Sequence, residues 1–294
     1  MKHKPSKIRS LIAEGESILA QSPHPERARR DAEAILLHLF RATDPARNRA
    51  WLFARQNDPT LAKTQTEFTA LIERRLAGEP IQYITGEAEF YGLPFRVTPA
   101  VLIPRPETEH LVEKALEMAA GFAAPRMVDV GTGSGAIPVA LARHLPQAIV
   151  SAIDLSSAAL EIARGNAADN AVAERIRFLE GDLLEPVASE RFEIVVSNPP
   201  YVPLADRASL SVEVREHEPA LALFAGEDGL ELYRRLIPQA FKVLVAGGFL
   251  GLEIGCGQEA AVRALLEAAG FAGIRFIADL QGIPRVACAT RPRL

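Results

Sequence analysis

Asn198, Pro199, Pro200 and Tyr201 stand together directly after an apolar run, and between them they can hold a planar nitrogen group. An amide or aryl amine is a poor nucleophile because its lone pair is delocalised into the π-system. Alkylating it requires that lone pair to be freed and aimed. The side-chain oxygen of Asn198 can accept one N–H of such a group, and the Pro199 carbonyl can accept the other. Two fixed acceptors orient the nitrogen, favour its pyramidalisation and offset the positive charge that develops on it. Proximity and electrostatics then do what a strong general base would otherwise do. The two prolines keep the segment extended and remove backbone donors that would compete. Tyr201 offers an aromatic face for stacking on the planar group. Asn198 and Pro199 are the catalytic candidates, with Pro200 and Tyr201 completing the substrate site. A proline-rich loop after a strand is the structural alternative.

The alkyl donor is suggested by Asp129-Val130-Gly131-Thr132-Gly133-Ser134-Gly135. Its glycines occupy every second position, with an acid two residues before the first. A dinucleotide site spaces its glycines as Gly-x-Gly-x-x-Gly and rests a pyrophosphate on a helix N-terminus. S-adenosylmethionine instead presents a carboxylate, a sulfonium and a nucleoside, which suits a shorter loop with an acidic rim. Asp154 follows Gly131 by 23 residues, the spacing at which a carboxylate accepts from ribose hydroxyls. It can equally cap a helix over 156–168, as can Ser156. Asp182, in Gly181-Asp182-Leu183, is placed to accept from the adenine amine, or serves only as a turn residue. These signals fall on the C-terminal ends of consecutive strands, where open α/β sheets bind ligands. They make S-adenosylmethionine the expected cofactor and Gly131, Thr132, Gly133, Ser134, Gly135, Asp154 and Asp182 its expected contacts. Asn198 belongs to both sites.

The elements that must position these residues are legible in the periodicity. Apolar strands are predicted at 127–130, 149–153, 176–179, 194–197, 249–254, 274–277 and 286–290, with helical segments in most of the gaps. Such alternation means a parallel sheet covered on both faces. The last two strands are joined by too few residues for a crossover helix, so they should pair antiparallel. The fold class is therefore α/β: a Rossmann-like methyltransferase sheet, parallel with one antiparallel terminal strand. Residues 1–85 read as a small all-helical domain. Ala32, Ile35, Leu36 and Leu39 recur at helical spacing in one segment, and Leu61, Phe68, Leu71, Ile72 and Leu76 in another that stops at Gly78. Residues 86–105 form a linker with a β-hairpin around Gly92, and 106–294 the methyltransferase domain.

Composition sets the outer limits. Of 294 residues, 48% are apolar and 24% charged, the balance of a globular protein. No uncharged apolar run reaches the roughly 20 residues of a membrane span. The opening Met1-Lys2-His3-Lys4-Pro5-Ser6-Lys7 has no apolar signal core. Cys256 and Cys288 supply neither a disulfide framework nor a metal-ligand spacing, so no metal is expected and the setting is expected to be cytoplasmic. Residues 1–85 carry 14 basic against 10 acidic side chains, and the remainder 19 against 27. An acidic catalytic half argues against gripping nucleic acid by its phosphates.

Asn-Pro-Pro-Tyr is shared by methyltransferases acting on adenine, guanine and glutamine, so these residues alone leave the substrate open. The addition of Ile103-Pro104-Arg105-Pro106-Glu107-Thr108-Glu109, the hairpin, the Gly-Thr-Gly-Ser-Gly loop and a helical N-terminal domain is narrower. Together they resemble the HemK family, the peptide chain release factor glutamine N(5)-methyltransferases. The likeness covers nearly the whole chain and is strongest from Gly86 to Tyr201. It implies methylation of the glutamine in the Gly-Gly-Gln tripeptide of class 1 release factors, by an enzyme acting as a monomer without membrane or direct nucleic-acid contact. It also implies that Leu183 makes an apolar adenine contact where the family often has Trp. The 104–107 loop would close over the methionine end of the cofactor. The N-terminal domain would dock the release factor, its basic surplus meeting acidic patches there, or would merely cap the catalytic domain. Two other readings remain: a nucleic-acid adenine or guanine amino methyltransferase, and a glutamine methyltransferase acting on a ribosomal protein.

Overall fold

The computed structural model describes residues 6–293, and the opening lysine- and histidine-bearing residues 1–5 lie outside it. The chain divides into two compact units, each made from two separate stretches of sequence: 1–86 with 212–217, and 87–211 with 218–294.

The first unit is helical. It contains α1 (Ile8–Leu19), α2 (Ala28–Arg41), α3 (Arg49–Ala54), α4 (Ala62–Leu76) and α5 (Ile81–Thr85). The apolar spacing of α2 and α4 turns Ala32, Ile35, Leu36, Phe68 and Ile72 into one core with Leu11, Ile12 and Leu19 of α1. Leu61, read from spacing as the first member of the α4 stripe, instead precedes the helix and is 76% exposed. The short helix α3 occupies part of what reads as a turn-rich stretch; Asn48 caps it by accepting the Trp51 N–H. Glycine 78, with φ at +97°, ends the run after α4.

The second unit opens with the hairpin β1 (Glu87–Phe90) and β2 (Leu93–Arg96), turned by Tyr91 and Gly92, both at positive φ as a two-residue hairpin turn requires. After a 3₁₀ turn at Pro106–Thr108 comes α6 (Glu109–Ala119). Alternation follows: β3 (Arg126–Val130), α7 (Ala136–His144), β4 (Ile149–Asp154), α8 (Ser157–Asp169), β5 (Ile176–Glu180) and β6 (Phe192–Ser197). Beyond a long loop the chain forms α9 (Val212–His217), which clusters with the first unit: Arg75, 3% exposed, pairs with both Asp31 and Glu213. The sheet is completed by α10 (Glu231–Val243), β7 (Leu244–Glu253), α11 (Glu259–Ala268), β8 (Ala272–Ala278) and β9 (Pro284–Thr290).

Its strands lie in the order β5-β4-β3-β6-β7-β9-β8. The first five are parallel, and β9 runs antiparallel to both its neighbours. The antiparallel strand is thus last in the chain but not at the sheet edge. Apolar side chains of α6, α7 and α8 bury one face of the sheet, and those of α10 and α11 the other. Strand order reverses between β3 and β6, and a ligand crevice is expected at the carboxyl ends of strands at such a switch. Among the described residues, no helix is long and apolar enough to cross a membrane.

Candidate active site

The glycine loop leaves β3 and the Asn-Pro-Pro-Tyr segment leaves β6, and these two strands are neighbours. Val130 pairs with Ser197, so Gly131 and Asn198 emerge side by side. The buried Ser197 hydroxyl donates to the Val130 carbonyl at 2.6 Å and ties the two exits together. Gly131, Gly133 and Gly135 all have positive φ, between +53° and +79°. At Gly135 a side chain would also meet Ala163 of α8, whose Cβ lies 3.0 Å from where its own would stand. Asn166, fully buried, holds the loop from behind. Its side chain donates to the Ser134 and Arg96 carbonyls and accepts the Arg96 N–H.

A cavity of about 190 Å³ opens at this point. Gly131, Gly133, Asp154, Asp182, Leu183, Asn198, Pro199 and Pro200 line it, together with Ala100–Leu102, Ile153, Leu155, Pro219, Leu221 and Leu232. Thr132, Ser134, Gly135 and Tyr201, also expected at the site, do not line it.

Asp154 ends β4 with its carboxylate already engaged by backbone: Gly133 N–H donates to Oδ2 at 2.8 Å and Ser156 N–H to Oδ1 at 2.9 Å. The cap of α8 is Ser156, whose hydroxyl accepts the Ala159 N–H. Burial raises the Asp154 carboxyl above its usual range, against the pull of these backbone donors. One strand over, Asp182 lines the cavity while pairing with Arg235 of α10. Leu183 follows with φ at +50°, an uncommon conformation for a branched residue, of a kind that collects at functional sites.

Beneath the loop lies Asp129, fully buried. Among the described residues, neither its carboxylate oxygens nor the Thr132 hydroxyl beside it meets a partner in hydrogen-bond geometry. Burial, reinforced by the charge of Asp154, pushes the Asp129 carboxyl up to about 7.

The clamp segment is anchored from below. The Asn198 amide nitrogen donates to Thr108 Oγ1 at 3.0 Å, and the Thr108 hydroxyl to Glu253 Oε2 at 2.5 Å. Tyr201 turns its hydroxyl inward to Glu253 Oε1 at 3.3 Å, and its ring packs on the core cluster beneath α10. Gln258 donates to the Tyr201 carbonyl at 3.0 Å. In this arrangement the Tyr201 ring supports the loop from behind. Arg105 Nη2 donates to both carboxylate oxygens of the buried Glu218, at 2.6 and 2.7 Å, joining the stretch after the hairpin to the 219–222 wall. Arg105 does so without lining the cavity; Ala100, Val101 and Leu102 just before it do.

Sequence reasoning passed over Thr108 as a site residue although it stands in the quoted Pro-Arg-Pro-Glu-Thr motif. It also passed over Glu253. A glutamate ending the apolar run Phe249–Leu252 is the signal that could have found it, because a buried acid in a strand needs a reason. The apolar wall at 219–222 carries no periodic or motif signal.

Residues 107–213 match the model of the methyltransferase small domain, and residues 10–86 that of the PrmC N-terminal domain. By fold alone, the second unit's architecture recurs in a Pyrococcus furiosus methyltransferase (TM-score 0.51, 18% identity, 69% of this chain and 90% of that one). The hMettl16 catalytic domain, solved with an RNA hairpin, is similar at a TM-score of 0.53 and 17% identity, over 79% of this chain and 84% of that one. Sequence relatives are far nearer. A Koribacter versatilis protein is 40% identical over 93% of this chain and 94% of its own length. One from Burkholderia pseudomallei is 44% identical over 89% and 92%, and one from Geobacter sulfurreducens 43% over 81% and 83%. All three are named release factor glutamine methyltransferase. With likeness at that level spanning both units, the chain belongs to the release factor glutamine methyltransferase family.

Proposed function

We propose that this chain transfers a methyl group from S-adenosylmethionine to the side-chain amide nitrogen of the glutamine in the Gly-Gly-Gln segment of a class 1 peptide chain release factor. The observation that carries the reading is the state of the Asn198 amide. Its nitrogen is committed to Thr108, so its oxygen is the end left for a ligand of the cavity it lines.

The donor set fits the cofactor. Asp154 and Asp182 present carboxylates for hydroxyl and amine donors, Ile153, Leu155 and Leu183 give apolar surface for a purine, and Gly131 and Gly133 let backbone approach closely. When bound, S-adenosylmethionine supplies an electrophilic methyl group on a sulfonium.

The chain's own part is to prepare the nitrogen. Asn198 Oδ1 and the Pro199 carbonyl accept the two N–H bonds of the glutamine amide, which fixes it and turns its lone pair out of conjugation. The same two acceptors offset the positive charge that grows on nitrogen as the new C–N bond forms. The extra proton is acidic once transfer is complete and passes to solvent. No basic side chain is needed: the Glu253 carboxylate beneath the clamp is buried and is engaged by the Thr108 and Tyr201 hydroxyls rather than by Asn198 itself. Burial, with the charge of Glu253, raises the Tyr201 hydroxyl above its usual range and keeps it protonated. The reading carries with it a cytoplasmic setting and a monomeric enzyme whose helical unit docks the release factor.

Its test is a competition among acceptors. Purified enzyme and radiolabelled S-adenosylmethionine are given release factor, ribosomal protein and RNA in parallel, and label should enter the release factor. Label confined to RNA or to ribosomal protein would overturn the choice of substrate.

A further inference from the structure

The Asn198 amide can act as a clamp only if its oxygen, not its nitrogen, faces the reacting group, and something must set that direction. We propose that Thr108 and Glu253 set it, as a carboxylate–hydroxyl–amide relay that lets only the nitrogen of Asn198 turn inward. This rests on the reading of Asn198 as the acceptor of a substrate N–H.

The geometry is a chain of three side chains from three elements. Glu253 ends β7, next to β6 in the sheet, where Ser197 pairs with Leu252, so Glu253 and Asn198 leave their strands as neighbours. Thr108, at the turn before α6, sits between them. Its Oγ1 lies 2.5 Å from Glu253 Oε2 and 3.0 Å from Asn198 Nδ2. Thr108 and Glu253 are only 4% and 2% exposed, so water does not substitute for either bond.

Donor and acceptor counting then gives the relay its direction. An ionised carboxylate only accepts, so the single hydroxyl proton of Thr108 goes to Glu253. Thr108 Oγ1 is left with lone pairs alone toward Asn198. Only the amide nitrogen can face them; turning the amide over would set two acceptors against each other. Two further contacts hold Glu253 in place: the Tyr201 hydroxyl donates to Oε1, and the Tyr233 hydroxyl donates to the Glu253 backbone carbonyl at 2.8 Å.

The same counting makes the relay sensitive to pH. A protonated Glu253 can donate to Thr108 Oγ1. The threonine hydroxyl is then free to donate to Asn198 Oδ1, and the amide is no longer held one way round. The groups that bear on Glu253 are Thr108 and Glu107 from the turn before α6, Tyr201 from the loop after β6, Tyr233 from α10, and Arg285 from β9. Burial, supported by the charge of Glu107, outweighs the two hydroxyls and Arg285 and pushes its carboxyl up to about 7. Turnover should therefore have an acid limb close to neutrality.

Thr108 and Glu253 are positioning residues, and the test separates them from structural ones. Methyl transfer to release factor is followed from about pH 6 to about pH 9 for the wild type, Thr108→Val, Thr108→Ser and Glu253→Gln, with thermal melting and cofactor titration of each. Thr108→Val should lower kcat by roughly 10- to 100-fold, flatten the acid limb, and leave cofactor affinity within about twofold of wild type. Thr108→Ser, which restores the hydroxyl, should recover most of the rate and the limb together. Glu253→Gln cannot titrate and should lack the limb whatever its rate. A Thr108→Val enzyme with wild-type kcat and an unchanged limb overturns the relay, as does a folded serine variant that recovers nothing. A wild type that never methylates release factor defeats the proposed function instead, so the two failures are distinct.

Discussion

The backbone N–H of Gly133 donates to Asp154 Oδ2 at 2.8 Å, so the glycine loop after β3 and the acid at the end of β4 form one unit. The loop's shape and the carboxylate's direction are set together. Asp154→Ala removes this bond and the one from Ser156, and with them the acceptor for a ribose. Cofactor affinity measured by calorimetry should fall by about 1–3 kcal/mol. Wild-type affinity in that variant would leave Asp154 as a loop anchor with no part in binding.

Asn198→Ala should separate binding from chemistry. Removing the amide takes away an acceptor that matters most when nitrogen carries charge, so kcat should fall by about 10²-fold or more. Cofactor affinity should stay near that of the wild type. If instead affinity collapses and single-turnover rates at saturation are normal, Asn198 serves the cofactor rather than the substrate.

Much of this site is legible in the sequence because its parts sit at strand ends, where apolar runs stop and chemistry starts. The seven strands follow from periodicity; Asp154 ends one, and Gly131, Asp182 and Asn198 each lie just past one. Other features come from tertiary packing that no local pattern encodes. Thr108 meets Asn198 across 90 positions of sequence and Glu253 across 145. The inward turn of Tyr201 depends on Glu253, and stacking, which its aromatic face suggests, gives no hint of it. Helix α9 reads as part of the catalytic stretch, yet it clusters with the helical unit through the Arg75–Glu213 pair.

Two buried carboxyls should shape stability against pH. Burial pushes both Asp129 and Glu253 up to about 7, whereas in the unfolded chain such groups ionise near pH 4. Between those values the folded state holds the extra protons. Their stabilising contribution is fully present below about pH 4, is lost as pH rises toward 7 and stays lost above it, on the order of 3 kcal/mol for each group. Urea unfolding near pH 5 and near pH 8 reads the difference. Asp129→Asn should lose less stability than the wild type between those conditions; an equal loss in both would mean that Asp129 ionises normally.

Gly133 and Gly135 share a left-handed backbone but differ in their surroundings. Nothing lies within 4 Å of a Cβ at Gly133, while at Gly135 the Ala163 Cβ and Cα stand at 3.0 and 3.2 Å. Gly133→Ala should cost only the conformational strain, about 1–2 kcal/mol. Gly135→Ala should add an overpacking cost of roughly 1–3 kcal/mol by forcing α7 and α8 apart. Thermal melting should rank Gly135→Ala below Gly133→Ala, and the reverse order would contradict the packing described.

The most direct measurement is mass spectrometry of a class 1 release factor after incubation with the enzyme and S-adenosylmethionine, with fragmentation across its Gly-Gly-Gln segment. One added methyl on the side chain of that glutamine, absent with Asn198→Ala, is the predicted result. An unmodified glutamine in the presence of enzyme that binds the cofactor would contradict the account.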